Sequence, residues 1–222
     1  MTERRKPRLV LLGKQGAGKG TQAATLARHY CIAHLSTGDM FRAQAAQGTA
    51  FGLEAKRYMD AGELVPDEIV MGVIEECLAP GGPLEDGFVL DGFPRTVPQA
   101  RELDRVLDGY PLDLVIDLDV PREIVIDRIA GRRVCESCQR VYHVNMPPAS
   151  NWTCDTCGGE VRQRDDDTEE AVTRRLELYE LETVPIIDYY RDRGLLARID
   201  GVGEGLDVFE RIVKVVDDRL HA

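Results

Sequence analysis

Gly13-Lys14-Gln15-Gly16-Ala17-Gly18-Lys19-Gly20-Thr21 fits G-x-x-x-x-G-K, a run whose chemistry is phosphate binding. Its glycines let successive backbone N–H groups converge on phosphate oxygens, a helix starting near Lys19 adds its positive end, and Lys19 bridges the outer phosphates. The alternative, a glycine-rich turn that binds nothing, needs the full pattern and its flanks to be coincidence. Gly20 stands where Ser or Thr usually follows the lysine, so the usual hydroxyl ligand to magnesium is missing. Magnesium then depends on phosphates, water and outer groups such as Thr21. Asp91 follows the apolar run Phe88-Val89-Leu90 and so ends a predicted strand, where ligands of open α/β sheets collect. Alone it would be a turn former; beside a phosphate loop it is expected to hold magnesium-bound water.

Cys135-x2-Cys138, fifteen residues, then Cys154-x2-Cys157 has the spacing of a four-thiolate zinc site. Two disulfides are the competing reading, and an expected cytosolic address disfavours them. A thioredoxin-like redox motif would need only one pair. Four thiolates complete a tetrahedron and leave no position for water, so the expected metal is structural. Cys31 and Cys77 have no partner at metal spacing and are expected to be small buried hydrophobes. His29, His34 and His143 lie away from any ligand cluster and are assigned no role.

Cations are the third chemical signal. Arg128 and Arg132 are four apart on one predicted helix, hence on one face, and lead into the cysteine-bearing segment. Arg164 and Arg175 flank the return from it, and Arg42 and Arg95 lie on the other side of the phosphate loop in sequence. A single Arg is usually a solvated surface residue. Six of them around two inserted segments suggest a polyphosphate clamp, because phosphoryl transfer mainly needs charge neutralisation and in-line positioning. The whole chain carries 28 Lys and Arg against 39 Asp and Glu, a net charge of −11, so it repels nucleic acid and anionic membranes and must hold anions through such local clusters.

The elements that must position these groups alternate. Apolar runs at 8–12, 88–90, 114–118 and 196–199 read as strands, and helical spacing appears at 18–30, 98–107 and 121–132. Strands alternating with helices imply a parallel sheet covered on both faces. Two stretches interrupt it. Residues 36–65 hold helical segments at 40–46 and 52–61 without a strong strand between them. From 131 to about 167 the helical pattern stops, and Pro147-Pro148 and Gly158-Gly159 mark turns between short strands such as 140–144, giving a small inserted domain that includes Trp152, the single tryptophan. A helix resumes after Asp167, which has capping-box spacing to Glu170, and runs to about Tyr190 with a kink expected at Pro185. The aliphatic run at 9–12 is far too short for a membrane span or signal peptide, although Arg4, Arg5 and Lys6 precede it.

Gly16-Ala17-Gly18-Lys19-Gly20-Thr21-Gln22, Ser36-Thr37-Gly38-Asp39-Met40-Phe41-Arg42, Asp91-Gly92-Phe93-Pro94-Arg95 and Gly131-Arg132-Arg133 together resemble the adenylate kinase family in order and spacing. The resemblance covers nearly the whole chain from Arg8. It implies a five-stranded parallel core (1–35, 66–130 and 168–222), a nucleoside-monophosphate-binding segment at 36–65, and a long bacterial-type zinc lid at 131–167. By the same matching, Thr37, Arg42, the Glu63-Leu64-Val65 backbone, Gly92 to Arg95 and Gln99 would contact AMP, with Arg164 and Arg175 reaching phosphates from the lid side. ATP would use Gly16 to Thr21, Arg128, Arg132, the Val141-Tyr142 edge and the backbone near Gly203. Lys19, Asp91 and the arginines, Arg42 apart, would serve the transfer itself, ATP + AMP to 2 ADP, in a cytoplasmic monomer. The chain departs from the family pattern at Lys14-Gln15, where small or proline residues are usual, and at Gly203, where many members carry a longer side chain.

Two rivals can be weighed. A nucleic-acid-binding zinc ribbon should be basic, yet residues 131–167 hold five Arg against six acids before any thiolate is counted. Another nucleoside monophosphate kinase is opposed by Thr37 and Gln99 through the resemblance alone.

Overall fold

The computed structural model describes residues 6–79 and 81–221; Arg4 and Arg5 lie outside the described residues. Five parallel strands, β1 (Arg8–Leu12), β2 (Ala33–Ser36), β3 (Phe88–Asp91), β4 (Leu114–Asp119) and, last in the chain, β8 (Leu196–Asp200), form a sheet in the order β2-β3-β1-β4-β8. The near-continuous apolar runs of β1, β3 and β4 reflect burial on both faces. Alternation divides the core. Leu9 and Leu11 pack with Val89, Ile116 and the helices α1 (Lys19–Tyr30), α6 (Arg122–Ala130) and α9 (Gly205–Leu220). Val10 and Leu12 point the other way, to Phe88, Leu90 and Val115, under α4 (Asp67–Leu78), α5 (Val97–Val106) and α8 (Val184–Arg191).

β2 is the strand that residue pattern missed, since its four half-buried residues Ala-His-Leu-Ser carry no aliphatic run. Helices α4 and α9 also fall outside the segments singled out above. α9 buries Val208, Ile212 and Val216 at four-residue spacing, the stripe of a helix covering a sheet.

The first interruption is a helical pair, α2 (Thr37–Ala46) and α3 (Ala50–Asp60), capped by Ser36 and Thr49 side chains that accept from the Asp39 and Gly52 amides. Gly52 is required where they meet, because a Cβ there would lie 2.2 Å from the Gln44 backbone. The second is a three-stranded antiparallel sheet in the order β6-β5-β7, made by β5 (Arg132–Cys135), β6 (Val141–His143) and β7 (Val161–Arg162). Its buried cluster is only Cys135, Tyr142, Cys154 and Val161.

Four local expectations change. α6 stops at Ala130, and Arg132 begins β5, so Arg128 and Arg132 do not share a helix face. The break falls at Gly131, where a Cβ would sit 1.9 Å from the His143 ring; His143 thus has a packing role. The cap of α7 (Glu169–Leu178) is Thr168, whose Oγ1 accepts from Ala171 N at 3.2 Å, and not Asp167, which is occupied by Arg132. Cys31 is exposed, in the left-handed conformation that closes α1, while Cys77 is half-buried. The expected interruption near Pro185 is a single π turn, Tyr179–Thr183, between α7 and α8. Proline supplies no N–H to the helical ladder, and the wide turn absorbs the missing bond.

Candidate nucleotide site and metal centre

The phosphate loop leaves β1 at Gly13, whose φ of +137° and whose approach to Leu118 O, 2.8 Å from where a Cβ would be, admit only glycine. Gly16 and Gly18 also take positive φ, and the chain enters α1 at Lys19. Lys19 Nζ donates to Gly13 O (2.7 Å) and Lys14 O (2.8 Å), so the ammonium is held inside the loop's curve. Burial there pulls it down to about 8, with Arg95 and Arg132 adding to the fall and Asp91 opposing it. Ala17 is buried and Thr21 exposed. A Cβ on Gly20 would lie 3.3 Å from Asp91 Oδ2, so the small residue after the lysine leaves room for that buried carboxylate at the start of α1.

Around the loop the two insertions bring their arginines together. Arg42 of α2 pairs with Asp39 one turn away and reaches Asp166 at 3.6 Å across the cleft. Arg164, on the return from the small sheet, reaches Asp39 at 3.2 Å. Arg175 of α7 holds Asp166 at 2.6 Å and donates to Met59 O of α3. Arg132 forks onto Asp167, its Nε at 2.8 Å. Burial lowers Arg95 to about 10, with Arg175 and Arg42 contributing; Arg164 falls to about 10 by burial, with Arg42 and Arg132 contributing. Burial works against ionisation of Asp39 and Asp166, but the adjacent arginines outweigh it and hold both carboxyls below the usual range. Lys19, Arg42, Arg95, Arg132, Arg164 and Arg175 thus outnumber Asp39, Asp91, Asp166 and Asp167 within an acidic chain. The Nε atoms of Arg42 and Arg164 are buried without a partner. Crowded cations with unspent donors suit a polyanion.

The Asp91-Gly92-Phe93-Pro94-Arg95 turn is built tightly. Arg95 Nε and Thr37 Oγ1 both donate to Gly92 O, at 2.7 and 3.0 Å, and a Cβ on Gly92 (φ +80°) would meet both side chains at 3.0 Å. Phe93 is buried and its peptide with Pro94 is cis. Gln99 Oε1 accepts from Arg95 N (2.7 Å) while its Nε2 donates to Asp67 (2.6 Å). Glu63 turns outward to Arg174 (2.8 Å), and Val65 is buried beside half-buried Leu64.

Arg128 is drawn into structure: it donates to Ala17 O and Gly201 O, both at 3.3 Å, tying the β8–α9 loop that carries Gly203 to the phosphate loop. Tyr142 is buried in the small sheet, donating its hydroxyl to Cys154 Sγ at 3.3 Å and accepting from Asp155 N at 2.9 Å, while Val141 beside it is exposed. Sequence reasoning missed Asp39, Asp166, Asp167 and Asp67, the acids that orient the arginines and Gln99. The Asp165-Asp166-Asp167 run was the available signal.

The four cysteines of the small inserted sheet converge. Their Sγ atoms all lie within 4.8 Å of one another, with Cys135–Cys157 and Cys138–Cys154 at 3.5 Å, unbonded. A tetrahedron with bonds of about 2.3 Å to sulfur has edges of about 3.8 Å, so this cluster can hold a metal ion. The Tyr142 hydroxyl pulls the Cys154 thiol down, while burial and the neighbouring thiols push Cys138 up, so without a metal the four sulfurs do not all ionise together and Cys154 is the readiest thiolate.

A phosphate loop after the first strand of a parallel sheet, opening on an arginine-lined cleft between two insertions, defines a nucleotide phosphotransferase of the P-loop class. The family model described as "Adenylate kinase" matches residues 11–195. Adenylate kinases of Streptomyces griseus (51% identical over 213 residues, covering 94% of this chain and 97% of the relative) and Carboxydothermus hydrogenoformans (51% over 208; 92% and 97%) are close relatives. That of Methanothrix thermoacetophila is 47% identical over 211 residues, covering 94% and 97%. The chain belongs to the adenylate kinase family. No helix among the described residues is long and apolar enough to cross a membrane.

Proposed function

We propose that the chain catalyses the reversible, magnesium-dependent transfer ATP + AMP to 2 ADP, directly and in line. The observation that carries this reading is the crowding of Lys19, Arg42, Arg95, Arg132, Arg164 and Arg175 between two inserted segments on either side of one phosphate loop, an arrangement suited to two phosphate chains meeting end to end. In this reading residues 36–65 bind AMP through Thr37, Arg42 and the 63–65 backbone, together with Gly92 to Arg95 and Gln99 of the core, and residues 131–167 close over ATP on Gly16 to Thr21. Arg128 acts by bracing the loop, and Arg132, Arg164 and Arg175 neutralise the transferring group. The accepting phosphate of AMP is already ionised near neutral pH, so no general base is needed. Magnesium would be held by phosphates and waters ordered by Asp91 and Thr21, and supplies charge neutralisation between the phosphates. Closure excludes water that would otherwise hydrolyse ATP; the adenylate kinase lid is itself a standard example of such closure. The Cys135, Cys138, Cys154 and Cys157 site would hold structural zinc. The protein acts as a cytoplasmic monomer without nucleic-acid or membrane partners. A coupled assay offering AMP, GMP, CMP and UMP tests this: AMP should be strongly preferred, and preference for another acceptor would reassign the enzyme within the nucleoside monophosphate kinases.

A further inference from the structure

We propose that Lys14 and Gln15 are positioning residues that latch both ends of α7, the helix returning from the lid, to the phosphate loop, and so set closure over ATP. The inference rests on the nucleotide reading above. Gln15 Nε2 donates to Asp167 Oδ1 at 3.2 Å. The opposite amide orientation would set two acceptors face to face, so the donor assignment follows from chemistry. The Asp167 side chain is fully buried and also takes the Arg132 fork. One carboxylate therefore joins three pieces of chain: the tip of the phosphate loop, the first strand of the lid, and the entry to α7. At the other end of that helix, Lys14 Nζ lies 5.6 Å from the centre of the Tyr179 ring, the first residue of the π turn, and donates to Val120 O at 3.5 Å.

A packing role for Gln15 is disfavoured by its own chemistry. Its Oε1 is buried without a partner, a desolvation cost that an apolar side chain of similar length would avoid. If Gln15 only filled space, methionine would serve at least as well. A latch behaves differently: its loss leaves the fold intact but lets the lid and Arg132 leave the loop, and apparent affinity falls with the population of the closed state.

The test uses the full chain, with magnesium-ATP titrated calorimetrically and thermal unfolding followed in parallel. Gln15→Met should keep or raise the melting temperature while weakening ATP binding at least about ten-fold, the lower end of the scale for one hydrogen bond to a charged group. Lys14→Met should weaken it about two-fold, because the cation–ring contact is long. In an Asp167→Ala background, Gln15→Met should add nothing further. ATP affinity unchanged by Gln15→Met, an affinity loss matched by a fall in melting temperature, or an equal loss in the Asp167→Ala background would each overturn the latch. Turnover of AMP by the unsubstituted chain tests the catalytic reading separately: its absence would reject that reading while the ATP titrations still decide the latch.

Discussion

In the proposed reaction Lys19 has two tasks that conflict when no nucleotide is bound. It must carry a positive charge to a phosphoryl group, yet burial and neighbouring arginines draw its pKa down to about 8. A lysine whose folded pKa lies below its unfolded value of 10.5 disfavours folding while charged, and this cost is relieved as pH rises from about 8 towards 10.5. Affinity runs the other way, since deprotonation removes the charge aimed at phosphate. The ATP kcat/KM should therefore fall above about pH 8, and kcat should hold to higher pH because bound phosphate raises the lysine again. Lys19→Met should lower turnover by at least about 100-fold with the fold intact. Near-normal turnover in that variant, or coincident alkaline limbs for kcat and kcat/KM, would remove Lys19 from this role. The lysine was legible in the sequence because its glycines must stand at fixed spacing. Asp166 and Asp167 were not, because an acid that orients an arginine through space leaves no spacing rule along the chain, whereas Asp39 stood one helical turn before Arg42 and was legible in principle.

The lid illustrates how an element with almost no core is held. Its buried cluster is Cys135, Tyr142, Cys154 and Val161, and segments below roughly 40 residues usually need a metal or disulfides to fold. If the proposed zinc holds this segment together, chelating it, or replacing Cys154 with serine, should lower the segment's melting temperature, read by Trp152 fluorescence, more than it lowers room-temperature turnover. Cobalt should fill the same four-thiolate tetrahedron with the rate nearly unchanged; a folded but inactive cobalt form would instead point to catalysis by the ion. The junction with α6 makes a second, independent demand. A Cβ at residue 131 would collide with His143 at 1.9 Å, so Gly131→Ala should destabilise the lid by about 1–3 kcal/mol, and His143→Ala should recover most of it in the double variant. Additive losses in that cycle would show that the contact is not the cause. Strands β1, β3 and β4 could be read directly from their aliphatic runs, whereas β2 could not, because a half-buried four-residue edge strand carries neither alternation nor a run. The end of α6 was misplaced for a related reason: the helical spacing of Arg128 and Arg132 continues through Gly131, which itself keeps a right-handed helical conformation, and the chain leaves the helix because Arg132 pairs with His143 across the antiparallel sheet.

At the scale of the whole molecule, the two insertions touch each other as well as the core. Arg164–Asp39 and Arg42–Asp166 cross the cleft beside the phosphate loop, the more exposed Lys56–Asp165 pair crosses outside it, and Arg174–Glu63 joins the first insertion to α7. The exposed pairs contribute little on their own and weaken with salt, so they can be exchanged cheaply as the segments part. The buried arginines differ, since their acids leave Arg42 Nε and Arg164 Nε unspent and a surplus of positive charge between the segments. In the proposed two-site reading, a dinucleoside polyphosphate long enough to span both half-sites would supply that negative charge and tie the segments together in one binding event. It should bind at least about 100-fold more tightly than ATP or AMP alone, because its second half binds at the high effective concentration set by the first. At 100 times its Kd it should add about 2.7 kcal/mol of stability, seen as a rise in melting temperature, and this gain should shrink as salt is raised at fixed ligand concentration. AMP and ATP should each compete with it. Competition by ATP without competition by AMP would leave one nucleotide site and reject the pairing of the two insertions around a shared transfer point.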